Sequence, residues 1–213
     1  MQEADGSDLS GYVYEDAELN HSHEYLLPSL QAELAKLSGE KRVFELGCGN
    51  GSIGAAMAAA GWDVTGVDVS EDGLKQGRER YPELKLHKGS AYDDLAATYG
   101  TFPVVTSLEV VEHVFHPRIY AKTLFSLLEP GGTAIISTPY HGYWKNLVMS
   151  ATGKMDAHFT ALWDYGHIKF FSIKTLTELL EETGFEVERF LRVGRIPPLA
   201  KSMIAVAKKP MSK

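Results

Sequence analysis

The 213-residue chain contains only one cysteine, Cys48, and it has no apolar run near the roughly 18 residues that a membrane-spanning helix needs. One thiol can form neither an internal disulfide nor a cysteine-based zinc site. The first residues also lack the basic and then apolar pattern of a secretion signal. The length of the chain predicts a single domain, and 44% apolar and 23% charged residues are ordinary for a folded protein. The lone cysteine and the missing signal pattern lead us to expect a cytoplasmic location.

Positive charge is absent from the first 35 residues, which carry eight Asp and Glu and neither Lys nor Arg. Residues 36–188 hold twenty acids and fourteen bases, and residues 189–213 hold seven bases and no acid, so the net charge is −7. An acidic average disfavours a general nucleic-acid binder, because phosphate affinity depends on clustered Lys and Arg. The basic end also carries Ile196, Met203 and Ile204, which suggests a weak contact with an anionic membrane surface. Protection of a sheet edge by Lys is the simpler explanation of these bases.

Short apolar runs alternate along the chain with stretches that have the spacing of amphipathic helices. The runs expected to form strands are Arg42–Leu46, Asp63–Val67, Leu84–His87, Pro103–Leu108, Thr133–Ser137, Val187–Val193 and Ser202–Ala207. Helices are expected near residues 25–37, 52–60, 70–80, 118–128 and 173–183. This alternation predicts an α/β domain with a mostly parallel sheet and helices on both faces. The last two runs are too close for an intervening helix, so we expect them to pair antiparallel at a sheet edge.

Two segments lie outside this alternation. Residues 140–165 follow the fifth strand and hold six aromatic residues in 26 positions, which fits a lid insertion on the substrate side or, equally, a satellite core or an oligomer contact. Residues 1–24 form an acidic arm that contains aromatic residues, and this arm either folds over the ligand or is a simple acidic tail. The domain itself is expected to span residues 25–209.

A glycine-rich turn follows the first predicted strand. The run Val43-Phe-Glu-Leu-Gly-Cys-Gly-Asn-Gly51 ends that strand and opens a helix, where free backbone N–H groups can hold a ligand. Residues 49–54 also satisfy the G-x-G-x-x-G pattern of dinucleotide-binding proteins. Glu45 argues against a dinucleotide, because a carboxylate at the strand end repels a pyrophosphate and suits a ligand that carries an ammonium and a sulfonium group.

The second predicted strand leads into an acidic residue, Asp68, which follows Gly49 by 19 residues. A carboxylate at this point of an α/β sheet accepts hydrogen bonds from both hydroxyls of a ribose. In this order of strand, turn, helix and strand, the glycine turn and the acidic residue support each other as parts of one site.

These motifs resemble the class I S-adenosylmethionine-dependent methyltransferases. The likeness continues along most of residues 40–209 through Gly89-Ser-Ala91, Pro103–Glu109 and Leu128–Gly132. It implies a Rossmann-like, seven-stranded, mostly parallel sheet with a reversed last strand, and S-adenosyl-L-methionine as the cofactor. The cofactor residues that it implies are Glu45, Gly47, Cys48, Gly49 and Gly51 at the methionine moiety, Asp68 at the ribose, Val69, Ser90, Ala91 and Tyr92 at adenine, and Leu108 and Glu109 below the cofactor. Many relatives carry Asp at the position of Ser90, and Asp93 is the candidate replacement.

The run Glu109-Val-Val-Glu-His-Val114, together with His167–Ser172, resembles the ubiquinone-biosynthesis O-methyltransferases and their type-11 relatives. This resemblance implies methyl transfer to a small-molecule acceptor, and we expect O-methylation of a phenol, a quinol or a hydroxylated metabolite. N-methylation, methylation of a sugar hydroxyl, and a protein that binds the cofactor without catalysis remain as alternatives. The motifs do not indicate an oligomeric state.

A phenol acceptor must lose its proton, since its pKa is about 10, and histidine is the natural base at neutral pH. His113 is our candidate base or acceptor-orienting group, because it follows the fourth strand. Glu109, Glu112 and His113 alternatively offer oxygen and nitrogen ligands for a divalent metal. In the simpler interpretation, in which we assign no metal, Glu112 is solvated. The candidate acceptor contacts are Tyr14, His21, Tyr25, Tyr140, His141, Trp144 and His167.

Overall fold

The computed structural model of the chain describes residues 22–163 and 166–211. The strands in these ranges are β1 (Arg42–Leu46), β2 (Asp63–Asp68), β3 (Lys85–Lys88), β4 (Phe102–Leu108), β5 (Leu128–Pro139), β6 (Glu186–Val193) and β7 (Ser202–Lys208). The helices are α1 (His23–Leu34), α2 (Ser52–Ala59), α3 (Glu71–Arg80), α4 (Leu95–Tyr99), α5 (Pro117–Leu127), α6 (Tyr143–Ala151), α7 (Met155–Phe159) and α8 (Ile173–Thr183). A single 3₁₀ turn, Pro197–Leu199, connects β6 to β7 within the described ranges.

The seven strands form one sheet in the order β3-β2-β1-β4-β5-β7-β6. Strands β1 to β5 run parallel to their neighbours, whereas β7 runs antiparallel to both β5 and β6. The expected mostly parallel sheet with a reversed last strand is therefore confirmed. Since β1 lies between β2 and β4, the carboxyl ends of these three strands meet in the middle of one sheet edge, where α/β sheets bind their ligands.

Helices cover both faces of the sheet because side chains alternate along each strand. On β1, Val43 belongs to a core shared with α1, α2 and α3, while Phe44 belongs to a second core shared with α4, α5 and α8. Burial of both faces explains why the strands appear as near-continuous apolar runs in the sequence.

The structure differs from the sequence prediction in a few elements. Strand β5 begins at Leu128 because Leu128 pairs with Phe102, ahead of the predicted start at Thr133. Residues 140–165 contain two helices, α6 and α7, that were not expected from an aromatic-rich insertion.

Two of the apolar side chains that suggested a membrane contact lie inside the sheet. Met203 and Ile204 belong to β7, between β5 and β6, and both are fully buried, whereas Ile196 is exposed. The proposed membrane contact thus loses two of the side chains on which it depended. In the described part of the chain, no helix has the length and hydropathy needed to cross a membrane.

Helix α1 is fixed at both ends. Near its carboxyl end, the buried carboxylate of Glu33 accepts hydrogen bonds from Arg189 on β6 and from Lys36. Near its amino end, His23 contacts the Ser52 hydroxyl at 3.3 Å, which joins α1 to the start of α2. These contacts hold the first turn of α1 over the sheet edge at which the glycine turn lies.

The turn after β1 requires glycine at position 47. Its φ is +81°, and a Cβ there would lie 2.3 Å from Cγ2 of Val110. The amides of Gly47 and Cys48 both donate to the carbonyl of Val67 at 2.7 and 3.1 Å, so the turn cannot move away from this contact without breaking them.

We expect Gly47→Ala to lower the free energy of unfolding by about 2–4 kcal/mol, from left-handed strain together with the steric overlap. The matched control is Gly39→Ala, which has φ +101° but no atom within 4 Å of the added Cβ. It should lose only the strain, about 1–2 kcal/mol. Urea denaturation of both variants measures the difference, and equal losses would contradict the steric argument.

Candidate active site

A cavity of about 910 Å³ opens at the carboxyl ends of β1, β2 and β4. Eleven of the twelve cofactor residues predicted from the sequence lie in its wall. The twelfth, Gly51, instead stands at the N-cap of α2 with φ +74°. The structure thus brings the predicted cofactor residues together, while their individual roles stay predictions.

Asp68 is held at the cavity by two backbone amides. Its Oδ2 accepts from the amide of Gly49 at 2.8 Å, and its Oδ1 accepts from the amide of Ser70 at 2.8 Å. The end of β2 is therefore tied to the glycine turn after β1. This geometry presents a carboxylate in a defined orientation, as an acceptor for ribose hydroxyls requires.

Glu45 is a buried carboxylate in the cavity wall. No described group donates a hydrogen bond to its Oε2. Burial, with a further contribution from the charge of Asp68, raises the pKa of Glu45 to about 8. A cationic group beside it would stabilise the ionised form and supply the missing partner, so the site fits a ligand that carries an ammonium group.

The turn after β3 is closed by Asp93. Its Oδ2 accepts from the amide of Ser90 at 2.7 Å, and the Ser90 hydroxyl accepts from the amide of Tyr92 at 3.2 Å. Ser90 and Tyr92 line the cavity, whereas Asp93 is not among the lining residues. The structure therefore gives Asp93 a role in the turn and does not support it as a replacement contact to adenine.

Glu109 lies at the centre of a hydrogen-bonded network at the end of β4. Its Oε1 accepts from the Ser137 hydroxyl at 2.7 Å, and its Oε2 accepts from the Ser202 hydroxyl at 3.1 Å. Ser202 is in turn 3.3 Å from the hydroxyl of Tyr25. Glu109 has φ +54°, a strained conformation for a residue with a side chain, and such strain is often found at functional sites. The network joins β4, β5, β7 and α1 around the cavity.

Glu112 is 0% exposed, so the interpretation of Glu112 as a solvated residue is wrong. Neither of its carboxylate oxygens accepts a well-formed hydrogen bond from the described residues, although the backbone and Thr138 both act to lower its pKa. Burial and the neighbouring Glu109 raise the pKa of Glu112 well above its usual range. A carboxyl group in this state either carries a proton or has a cation beside it.

Glu112, His113 and His167 form a compact cluster. One ligand atom from each lies within 4.8 Å of the other two, and the two imidazole rings meet edge to face with centroids 4.8 Å apart. Trp163 contacts both rings. Burial and the charge of His113 lower the pKa of His167 to about 4, so His167 is neutral near pH 7. Compared with the ligand set suggested by the sequence, His167 takes the place of Glu109.

The predicted acceptor contacts divide into three groups. Tyr25 and His167 line the cavity, as does the candidate base His113. Three others do not line it, since Tyr140 is buried in the core, His141 packs behind the wall against His158, and Trp144 is 61% exposed. Tyr14 and His21 lie outside the described residues.

Sequence reasoning missed the cavity face of α6. The side chains of this face line the cavity at helical spacing, and they are Lys145, Val148, Met149 and Thr152. Thr152 is the C-cap of the helix. Trp144 is one position away, which is about 100° around a helix, so it points elsewhere. The spacing was visible in the sequence, but it carries information only once residues 143–151 are known to be helical.

The match to known proteins covers most of the chain. The model of a family described as "Methyltransferase domain" matches residues 19–189. The chain belongs to this family. A ubiquinone biosynthesis O-methyltransferase of Aromatoleum aromaticum is 30% identical over 167 residues, which is 76% of this chain and 71% of that protein. A protein of the same name from Thiobacillus denitrificans is 32% identical over 158 residues, 72% of this chain and 68% of that protein.

The fold likeness extends to solved structures. Magnesium protoporphyrin IX methyltransferase from Synechocystis PCC 6803 with bound SAH superposes with a TM-score of 0.64 at 20% identity, over 86% of this chain and 83% of that chain. This likeness shows the fold. The family model and the relatives show that the chain is an S-adenosylmethionine-dependent methyltransferase, which is an enzyme and not a protein that only binds the cofactor. Oε2 of Glu45, to which no described group donates, and the oriented carboxylate of Asp68 fit the ammonium group and the ribose of this cofactor.

We expect cofactor binding to displace a proton from Glu45. With a pKa of about 8, Glu45 is mostly protonated at pH 7 in the free methyltransferase, and a cation beside it lowers that pKa. Isothermal titration of S-adenosylhomocysteine at pH 7, in buffers of different ionisation enthalpy, should show release of close to one more proton from the wild type than from Glu45→Gln. Affinity should accordingly weaken as pH falls below 8.

The control for this titration is Glu79→Gln, which makes the same change at an exposed position on α3. It should release as many protons as the wild type. Equal proton release by the wild type and Glu45→Gln would show that Glu45 does not face the cationic part of the cofactor.

Proposed function

We propose that this methyltransferase methylates a hydroxyl group of a small molecule, with a phenol or a quinol as the acceptor and His113 as the group that accepts its proton. The observation that carries the proposal is the position of His113 in the same cavity as the cofactor residues, in the connection between β4 and α5. The names of the relatives from Aromatoleum aromaticum and Thiobacillus denitrificans, which describe O-methylation in ubiquinone biosynthesis, support it.

The cofactor supplies a methyl group on a positively charged sulfur, which is a good leaving group. The protein then has to place the acceptor oxygen in line with that methyl group and exclude water. The imidazole of His113 can take the hydroxyl proton, and Trp163 packs against it and against His167, which restricts its orientation. With a pKa near 4, His167 is a weaker base and is better suited to orient His113 or the acceptor.

The test is conversion of S-adenosylmethionine to S-adenosylhomocysteine in the presence of matched phenols, catechols, quinols, amines and sugars. We expect turnover with the aromatic hydroxyl compounds. His113→Ala should then lower kcat/KM by about 100- to 10,000-fold, the usual contribution of a general base, and leave the affinity for S-adenosylhomocysteine unchanged.

The control variant is His87→Ala, an exposed histidine on β3 away from the cavity, which should retain full activity. Full activity of His113→Ala on the best acceptor would rule out the assigned base. Turnover with amines alone would replace O-methylation by N-methylation.

A divalent metal is the second candidate for activation of the acceptor, and the state of Glu112 favours it. A buried carboxylate that accepts no well-formed hydrogen bond from the described residues, beside two imidazoles, offers a suitable set of oxygen and nitrogen ligands. A cation at Glu112, His113 and His167 would neutralise the carboxylate and lower the pKa of a hydroxyl bound to it. In this alternative His113 is a ligand and not a base.

Chelation separates the two mechanisms. If a metal is used, methyl transfer should fall to background after treatment with EDTA and gel filtration and return with Mg²⁺, Mn²⁺ or Zn²⁺, and Glu112→Gln should bind the restoring ion at least about tenfold more weakly. If His113 acts as a base, activity should survive chelation.

A further inference from the structure

Charge is segregated within the cavity. Among the described residues, the acidic ones in its wall are Glu45, Asp68 and Glu109, which lie at the ends of strands β1, β2 and β4 or directly after them. The basic residues in the same wall come from other elements, namely α6, the start of α7, and the connection between β6 and β7. They are Lys145, Lys154, Arg195 and Lys201. A chain with a net charge of −7 thus places four cationic side chains around one cavity.

Lys145 is the most informative of these residues because it is only 7% exposed. Its ammonium group donates one hydrogen bond, to the carbonyl of Lys201 at 3.1 Å. An ammonium group has three donors, and a buried cation is costly unless an anion or several acceptors surround it. Burial and the charge of Arg195 lower the pKa of Lys145 to about 8, while Glu109 opposes this shift, so the side chain is still mostly charged at pH 7.

The nearby cations add to this positive charge, and the charge of Glu109 offsets part of it at Lys145. Over residues 22–163 and 166–211, no carboxylate forms a salt bridge with Lys145, Lys154 or Arg195. Burial lowers the pKa of His158, which lines the same cavity, and the charges of Lys145 and Arg195 lower it further. These side chains therefore share one region of positive potential.

We propose that Lys145, Arg195 and Lys201 form an anion subsite that binds a carboxylate or phosphate group of the methyl acceptor. The inference rests on the proposed function, since it concerns the acceptor of the same cavity. An anionic group on the acceptor would supply the partner that the buried ammonium group lacks. It would also hold the acceptor at a fixed distance from the cluster of Glu112, His113 and His167.

The alternative source of an anion is the carboxylate of the cofactor's methionine moiety. The elements of the subsite favour the acceptor instead. Lys145 belongs to the segment after β5 and Arg195 to the connection between β6 and β7, whereas the residues that fit the cofactor follow β1 and β2. The two sources are distinguishable, because only one of them disappears when the cofactor is replaced by a ligand without a carboxylate.

The first experiment measures binding and does not depend on turnover. The full-length methyltransferase saturated with S-adenosylhomocysteine is titrated with two matched pairs: 3,4-dihydroxybenzoate against catechol, and phenyl phosphate against phenol. At least one anionic compound should bind about 10- to 100-fold more tightly than its neutral partner, as expected for a charge-assisted contact. No preference for the anionic member in either pair would overturn the proposal.

Lys145→Met and Arg195→Gln should each reduce that preference by about tenfold or more. The control Lys122→Gln, at an exposed position on α5, should retain it. Arg195 is exposed, so its variant tests the subsite even where the change at the buried Lys145 lowers stability. An unchanged preference in a correctly folded Lys145→Met and in Arg195→Gln would also overturn the assignment.

The second experiment compares S-adenosylhomocysteine with 5′-methylthioadenosine, which lacks the amino acid part. If Lys145→Met weakens only the former, by about tenfold or more, the cluster holds the cofactor carboxylate and the acceptor subsite is overturned. Failure of the proposed function has a different signature. In that case the anionic compounds still bind preferentially, while no hydroxyl compound is methylated.

Discussion

The hydrogen bonds between the glycine turn after β1 and the end of β2 are the constraint on which the rest of the site depends. Gly47 and Cys48 donate to the carbonyl of Val67, and Gly49 donates to the carboxylate of Asp68. These bonds require parallel neighbours in the correct register and a residue without a side chain at position 47, where Val110 leaves no room. They place Glu45, the turn amides and Asp68 on one wall before any ligand arrives.

Several buried polar groups at or near the cavity lack a full set of partners among the described residues. Oε2 of Glu45 and both carboxylate oxygens of Glu112 accept no hydrogen bond there, and the ammonium group of Lys145 donates one. Burial of each of these groups costs free energy, because water is removed and the described residues do not replace all of its hydrogen bonds. The two signs of charge lie on different elements, which suits a cationic cofactor on one side and an anionic acceptor on the other. Binding of the ligands would therefore stabilise the fold as well as start the reaction.

Much of the cofactor side was predictable because it depends on local signals. The same local arrangement forms in any parallel sheet from a strand, a glycine turn, a helix and an acidic residue at the end of the next strand. The residues proposed to bind the acceptor were not predictable, because they come from elements that the sequence did not identify. Lys145 faces the cavity and Trp144 faces solvent only because residues 143–151 are helical. Ser137 and Ser202 meet at Glu109 only because β7 inserts beside β5.

The amino-acid sequence was enough to predict the alternation of strands and helices, the glycine turn, the positions of Glu45 and Asp68 at strand ends, and the position of His113 after the fourth strand. It also determined the separation of acidic and basic residues along the chain. The packing of the elements buries Glu112 beside His167, and it places Lys145, Arg195 and Lys201 in the same cavity wall as the cofactor residues. The physical reason is that periodicity reports which face of an element is apolar, whereas a cluster of charges depends on which distant elements pack together.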